Sequence, residues 1–176
     1  MTAYITLLGA PGSGKGTQCQ QIASELNIVN LGIGDIIRKE IQAKTQIGIK
    51  AKTYTDQGNL VPNDIIIKMF ENRIENKLIE NGIIVDGYPR NLEQAKSFQK
   101  IFEKGKLPVK IFFIEIELEV IKDRLLGRLT CKKCGKIFHK KYKPAPKECQ
   151  ANLEVRNDDT AEVIENRFKV YTEEIN

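Results

Sequence analysis

Gly9-Ala10-Pro11-Gly12-Ser13-Gly14-Lys15-Gly16-Thr17 joins two segments of different periodicity. Before it, Ala3 to Leu8 is rich in β-branched and aliphatic residues and reads as a buried strand. After it, Ile22, Ala23 and Leu26 are spaced for one face of an amphipathic helix. A glycine-rich turn between strand and helix points several backbone N–H groups into one concavity. That concavity lies at the positive end of the helix dipole, where phosphate is held. Lys15 adds a mobile charge that can follow a phosphoryl group in transfer. The stretch departs from the general pattern G-x-x-x-x-G-K-[ST] at one point: Gly16 stands where Ser or Thr is expected, and Thr17 follows it. A plain surface turn is the competing reading, and the strand–loop–helix context weighs against it.

Outward from this loop, strands and helices alternate. Ile28 to Leu31 reads as a short second strand, and Asp35 precedes a helix carrying Ile36, Ile37 and Ile41. Asp35 reads equally well as an N-cap or as a contact to a substrate site. Further helical stretches run from about residue 47 to 57 and from an N-cap at Asn63 through Ile66, Phe70, Ile74 and Leu78. Gly82 to Val85 reads as a strand ending at Asp86, then Leu92 to Glu103 as helix, Val109 to Ile116 as strand and Leu118 to Leu126 as helix. From Gly127 to Asp158 the helical periodicity gives way to Lys, Cys, Pro and Gly. Asp159 and Glu162 resemble a capping box that opens a last helix through Phe168 and Tyr171. The pattern predicts an α/β fold, with a parallel sheet flanked by helices on both faces. Ligands then bind at the carboxyl ends of the strands, where the loop and Asp86 fall.

Composition narrows the class. The chain of 176 residues is long enough to bury a real core, and 41% hydrophobic with 29% charged residues excludes global disorder. A net charge of +5 suits nucleic acid or, equally, a cleft for polyanionic nucleotides. No signal-peptide pattern and no apolar stretch of membrane-spanning length is present. Three of the four cysteines fall late in the chain, which points to reduced thiols or a metal site in a cytoplasmic protein.

Six segments in order resemble the adenylate kinases, within the nucleoside monophosphate kinases: Gly9 to Thr17, Gly34 to Arg38, Gly58 to Val61, Asp86 to Arg90 with Gln94, Asp123 to Arg128, and Arg156 to Asp159. The resemblance spans essentially the whole chain. It implies a core (1–31, 62–126 and 160–176), a helical AMP-binding insertion (32–61) and a lid (127–159), with transfer between ATP and AMP assisted by Mg2+. It places Gly12, Ser13, Gly14, Lys15, Gly16 and Thr17 around the ATP phosphates, Arg124 against the ATP base, and Ile137 and Phe138 beside that nucleotide. It places Ile33, Arg38, Asn59, Leu60, Val61, Gly87, Tyr88, Pro89, Arg90 and Gln94 around AMP. Lys15, Arg90, Arg128, Arg156 and Arg167 then converge on the transferring group, with Arg156 and Arg167 also reaching AMP. The planar guanidinium suits two-point contact with phosphate. Asp86 would order water around magnesium. Monomer is the expected state, with ATP and AMP as partners and neither nucleic acid nor membrane.

Three departures from the family pattern stand out. Ile33 occupies a position where the family commonly has Thr near the AMP base, and Ile can neither donate nor accept a hydrogen bond. Cys131, Cys134 and Cys149 resemble the zinc-binding lids of some members, but the fourth position falls on Asn152, a poor ligand. His139 is a chemical alternative as fourth ligand, and metal-free reduced thiols are another reading. Family members also continue past the last helix into another strand and helix that complete the sheet edge. This sequence stops at Asn176, so weaker ATP binding or stability is expected, with unchanged chemistry.

The rival readings are a UMP or CMP kinase, a GTP-binding switch, a nucleic-acid module built on the Cys pair and basic stretch His139 to Lys143, and an inert nucleotide-binding fragment. The switch lacks the N-K-x-D base-recognition motif, since Asn76-Lys77 is followed by Leu78-Ile79.

Overall fold

The computed structural model describes residues 3–75 and 81–175. Leu78 and the Asn76–Ile79 stretch, together with the end at Asn176, lie outside them. The elements are β1 (Ala3–Gly9), α1 (Lys15–Leu26), β2 (Val29–Gly32), α2 (Ile33–Gln42), α3 (Gln46–Thr55), α4 (Asn63–Glu75), β3 (Gly82–Asp86), α5 (Leu92–Lys104), β4 (Val109–Ile114), α6 (Leu118–Leu126), β5 (Arg128–Cys131), β6 (Ile137–His139), α7 (Lys147–Gln150), β7 (Leu153–Glu154) and α8 (Ala161–Ile175).

β1 to β4 form one parallel sheet in the order β2-β3-β1-β4. Its central strands are continuous apolar runs because helices cover both faces. Ile83, Ile84 and Val85 are fully buried in β3. One face packs Tyr4, Leu31, Ile83 and Val85 against α2, α4 and α5, where Phe70, Tyr88, Phe98 and Phe102 form an aromatic cluster. The other face packs Ile5, Leu7 and Ile84 on Cys19 and Ala23 of α1. Each fully buried large side chain stabilises by about 2–3 kcal/mol, so this core holds the carboxyl ends of β1 and β3 at fixed separation. Burial of Cys19 pushes its thiol up to about 12, so it is a core residue and not a nucleophile.

Pairing of Leu7 with Asp86 in the sheet register puts the start of the loop beside the acid at the end of β3. β4 is an edge strand among the described residues, and Ile111, Phe112 and Phe113 are exposed. Residues 127–159 build a separate antiparallel sheet, β6-β5-β7.

Four local expectations change. Leu26 is 49% exposed at the end of α1, so the buried stripe of that helix rests on Cys19 and Ala23. α2 begins at Ile33 with Gly32 as its cap, and Asp35 lies in the first turn paired to Arg38. Asn63 lies inside the first turn of α4, with its carboxamide bonded to α5 residues. Asp159 does not cap α8: its carboxylate binds Arg128, and the Thr160 hydroxyl accepts from Val163 N at 3.3 Å.

Candidate active site

The loop after β1 takes its shape from glycine backbone conformations. Gly12 (φ +82) and Gly14 (φ +101) are left-handed, and a Cβ on Gly12 would lie 2.8 Å from Leu125 Cγ. Gly14 leads directly into α1 at Lys15, which directs the first N–H groups of that helix into the loop. A Cβ on Gly16 would press on Asp86 Oδ2 at 3.0 Å, so the acid at the end of β3 lies close against this position, with Thr17 one residue further on.

Lys15 Nζ donates to Gly9 O and Ala10 O at 2.7 Å each, and to Ser13 Oγ at 3.3 Å. Burial pushes its ammonium down to about 8; Asp86 pulls it up, while Arg90 and Arg167 push it further down. Burial also raises the Asp86 carboxyl, opposed by Lys15 and Arg90. Arg90 stands on the turn after β3, where its Nε donates to Gly87 O at 2.8 Å. That turn is held by Gly87 N bonded to Leu7 O at 3.1 Å and by the Thr6 hydroxyl donating to Tyr88 O at 2.7 Å. The Tyr88–Pro89 peptide is cis.

Arginines arrive from three directions. Arg38 comes from α2, Arg128 from β5 and Arg156 from the connection after β7, and Arg167 from α8. Arg128 holds Asp159 in a two-point contact, with Nε at 2.7 Å from Oδ2, and the Asp159 side chain is fully buried. Arg167 pairs with Asp158 at 2.7 Å, and Arg156 Nε donates to Thr130 Oγ1 at 3.0 Å. Burial opposes ionisation of Asp158, but Arg167, Arg128, Arg38 and Arg156 outweigh it and hold the carboxyl below its usual range. Desolvation, joined by neighbouring cations, pulls Arg90 and Arg156 down to about 10, and burial lowers Arg167 as well. Mutual repulsion among cations this close means that the site is poised for a ligand with several negative charges.

Most sequence-predicted residues line one cleft: Gly12 to Thr17, Arg124, Arg128, Ile137, Phe138, Arg38, Asn59, Leu60, Gly87, Pro89 and Arg90, with Asp86, Arg156 and Arg167. Arg124 Nη1 donates to Ser13 O at 3.0 Å, which ties α6 to the loop. Ile33, Val61, Tyr88 and Gln94 are buried behind the lining, packed with Ile36 and Ile37 or hydrogen-bonded within the wall. Sequence reading gave no role to Thr130 or Asp158 and took Asp159 as a cap. Two acids directly after Arg156 were the available signal, since buried arginines need counter-charges.

Cys131, Cys134 and Cys149 bring their sulfurs within 4.8 Å of one another, and Cys134 and Cys149 lie at 3.7 Å. Tetrahedral zinc with four sulfurs requires a separation of about 3.8 Å, so this trio fits three corners of such a site. His139 is excluded as the fourth ligand. Its Nδ1 accepts from Lys141 N and Tyr142 N at 3.1 and 3.2 Å, and its Nε2 donates to Asp123 O at 3.1 Å. It clasps the root of residues 127–159 to α6 instead.

Comparison with known proteins agrees with this geometry. The sequence profile of a family described as Adenylate kinase matches residues 7–176. The chain is 39% identical to the adenylate kinase of Caldicellulosiruptor bescii over 173 residues, covering 95% of this chain and 80% of that protein. It is 37% identical to that of Alkaliphilus oremlandii and 38% to that of Clostridioides difficile, each over 176 residues, 97% of this chain and 82% of the relative.

Proposed function

The chain belongs to the adenylate kinase family and is an enzyme of phosphoryl transfer between ATP and AMP, and from that premise we propose how its residues divide the work. The supporting observation is the convergence of Lys15, Arg38, Arg90, Arg128, Arg156 and Arg167 on one cleft beside Asp86. Such transfer needs aligned oxygens and neutralised charge more than covalent help.

Gly12 to Thr17 cradle the ATP phosphates through backbone N–H groups, and Lys15 exchanges its carbonyl partners for phosphate oxygens. Arg124 flanks the ATP base, with Ile137 and Phe138 along the same nucleotide. Arg38 and Arg90 grip the AMP phosphate, while the pocket for the base is shaped by Ile33, Asn59, Leu60, Val61, Gly87, Tyr88, Pro89 and Gln94. Arg128, Arg156 and Arg167 neutralise charge on the group in flight. Magnesium bound with ATP would supply positive charge against the phosphates. Asp86, at the carboxyl end of β3, would order its water ligands. Residues 1–31, 62–126 and 160–176 act as core, 32–61 as the AMP-binding insertion, and 127–159 as a lid over ATP.

Cys131, Cys134 and Cys149 would hold zinc as a structural cross-link of the lid, fixing β5 to the α7 turn. The enzyme works as a soluble cytoplasmic monomer. No helix of the described residues is long and apolar enough to cross a membrane. A pyrimidine monophosphate kinase is not favoured, since the relatives compared are adenylate kinases.

Steady-state ADP formation with ATP and AMP varied separately tests the division. Arg38→Ala raises KM for AMP and leaves KM for ATP, and Arg124→Ala does the reverse. If either substitution raised the other substrate's KM alone, the assignment would fail.

A further inference from the structure

The Asn63 side chain bonds away from the helix it begins. It opens α4, yet its carboxamide points to α5, where Nδ2 donates to Glu93 Oε2 at 2.7 Å. Its Oδ1 accepts from Gln94 Nε2 at 2.8 Å and from Asn91 Nδ2 at 3.0 Å. Gln94 is 1% exposed, and its Oε1 accepts from the backbone Arg90 N at 3.0 Å.

Both ends of this chain have a fixed polarity. The Glu93 carboxylate accepts from Asn63 Nδ2, and Asn91, whose Oδ1 accepts from Gln94 N at 3.0 Å, must present Nδ2 to Asn63 Oδ1, so the two together hold Oδ1 towards Gln94. The backbone N–H of Arg90 only donates, which forces Gln94 to present Oε1. A flipped Gln94 amide would put its amine against that N–H and its oxygen against Asn63 Oδ1, losing two bonds inside a buried site. Each Gln94 atom retains one further hydrogen-bond valence, an acceptor on Oε1 and a donor on Nε2, in an order the amide cannot reverse.

We infer that Glu93 and Asn91, acting through Asn63, form an orientation lock on the Gln94 carboxamide, and that this lock makes the acceptor site select an amino base over its oxo counterpart. The inference rests on the reading of Gln94 as the group facing the AMP base. An adenine edge offers an amino donor beside a ring acceptor and matches the locked order. A hypoxanthine edge reverses donor and acceptor and would require the forbidden flip. Ile33 contributes no polar group that could compensate. The same logic ranks CMP above UMP. Asn63 and Glu93 are positioning residues; neither needs to touch substrate.

The test compares kcat/KM for AMP with that for IMP, with ATP as donor, in the wild type and in Asn63→Leu, Asn63→Asp with Glu93→Gln, Asn91→Ser with Glu93→Leu, and Gln94→Leu. Asn63→Leu removes the acceptor and lowers the AMP-to-IMP ratio about tenfold, the worth of one hydrogen bond, while KM for ATP stays constant. Asn63→Asp combined with Glu93→Gln, which faces the new carboxylate with an amide donor, keeps an acceptor opposite Nε2 and retains the ratio. Asn91→Ser with Glu93→Leu keeps a hydroxyl to accept from Gln94 N but removes both groups that hold Asn63, so Asn63 turns and the ratio falls even if Asn63→Leu fails to fold. Loss of melting temperature or kcat with an unchanged ratio would assign these residues a merely structural role and overturn the lock. If Gln94→Leu collapses the ratio and Asn63→Leu does not, the lock fails and the reading of Gln94 stands. If Gln94→Leu also leaves the ratio intact, the reading itself fails.

Discussion

Lys15 links nucleotide binding to protons. Burial holds its ammonium down at about 8, while three acceptor oxygens and Asp86 keep it in the loop. Placing the phosphates of ATP on the loop surrounds the ammonium with negative oxygens and returns its pKa towards the ordinary lysine value of about 10.4. Binding therefore takes up protons. At pH 8 about half the free protein lacks the proton, so uptake is about 0.5 proton per ATP, rising to about 0.9 at pH 9. Between pH 7 and 9 the protonated fraction of the free site falls about tenfold, and ATP affinity falls with it. The sign for stability is the opposite: a lysine whose folded pKa is depressed penalises the free fold below pH 8, and the penalty is relieved as pH rises from 8 towards the unfolded value. ATP binding cancels that pH-dependent gain. Calorimetric titration with ATP in the absence of AMP, in buffers of different ionisation enthalpy, measures the uptake directly. Lys15→Arg keeps its charge throughout this range, so its titration shows no uptake. Zero uptake by the wild type at pH 8 and 9, with flat affinity, would refute the account of Lys15.

Other perturbations separate the remaining parts. Asp159→Asn keeps the shape but removes the charge that Arg128 holds; loss of about 2 kcal/mol and a melting point lower by roughly 4–8 °C are expected. The same variant raises KM for ATP and leaves KM for AMP, and an unchanged melting point would count against the buried pair. Gly12→Ala puts a methyl against Leu125 at a left-handed φ, so ATP binding should weaken at least about tenfold. Adding Leu125→Ala makes room but does not relieve the backbone, so recovery should be partial; full recovery would exclude the strain. For the cysteine trio, metal analysis should give zinc that is lost in Cys149→Ser, and Asn152→Cys should raise the melting point of the zinc-loaded protein by completing the set. Retention of metal by Cys149→Ser would remove that residue from the site.

The phosphate loop, the order of strands and helices, and the arginine-bearing segments were legible in the sequence because each rests on local chemistry. Glycines at Gly12 and Gly14 report backbone conformation directly, and alternating apolar periods report burial. The runs Gly82 to Val85 and Ala3 to Leu8 therefore declared themselves as covered parallel strands. What a side chain bonds to across the fold was not legible. Asp159, Asn63 and Asp35 all stand at helix starts, where capping is the ordinary local explanation. Tertiary structure assigned Asp159 instead to Arg128 and Asn63 to Gln94 and Glu93, whereas Asp35 pairs locally with Arg38 three residues along the same helix. His139 was chemically able to join the cysteines, and only its partners on Asp123, Lys141 and Tyr142 removed it. Gly16 shows the division most plainly. The sequence by itself determined that Thr17 stands one residue late; only the fold shows that Asp86, from a strand seventy positions away, lies 3.0 Å from where a Cβ on Gly16 would sit. Backbone preference is written locally, whereas charge pairing and steric exclusion depend on which distant residues the fold brings into contact.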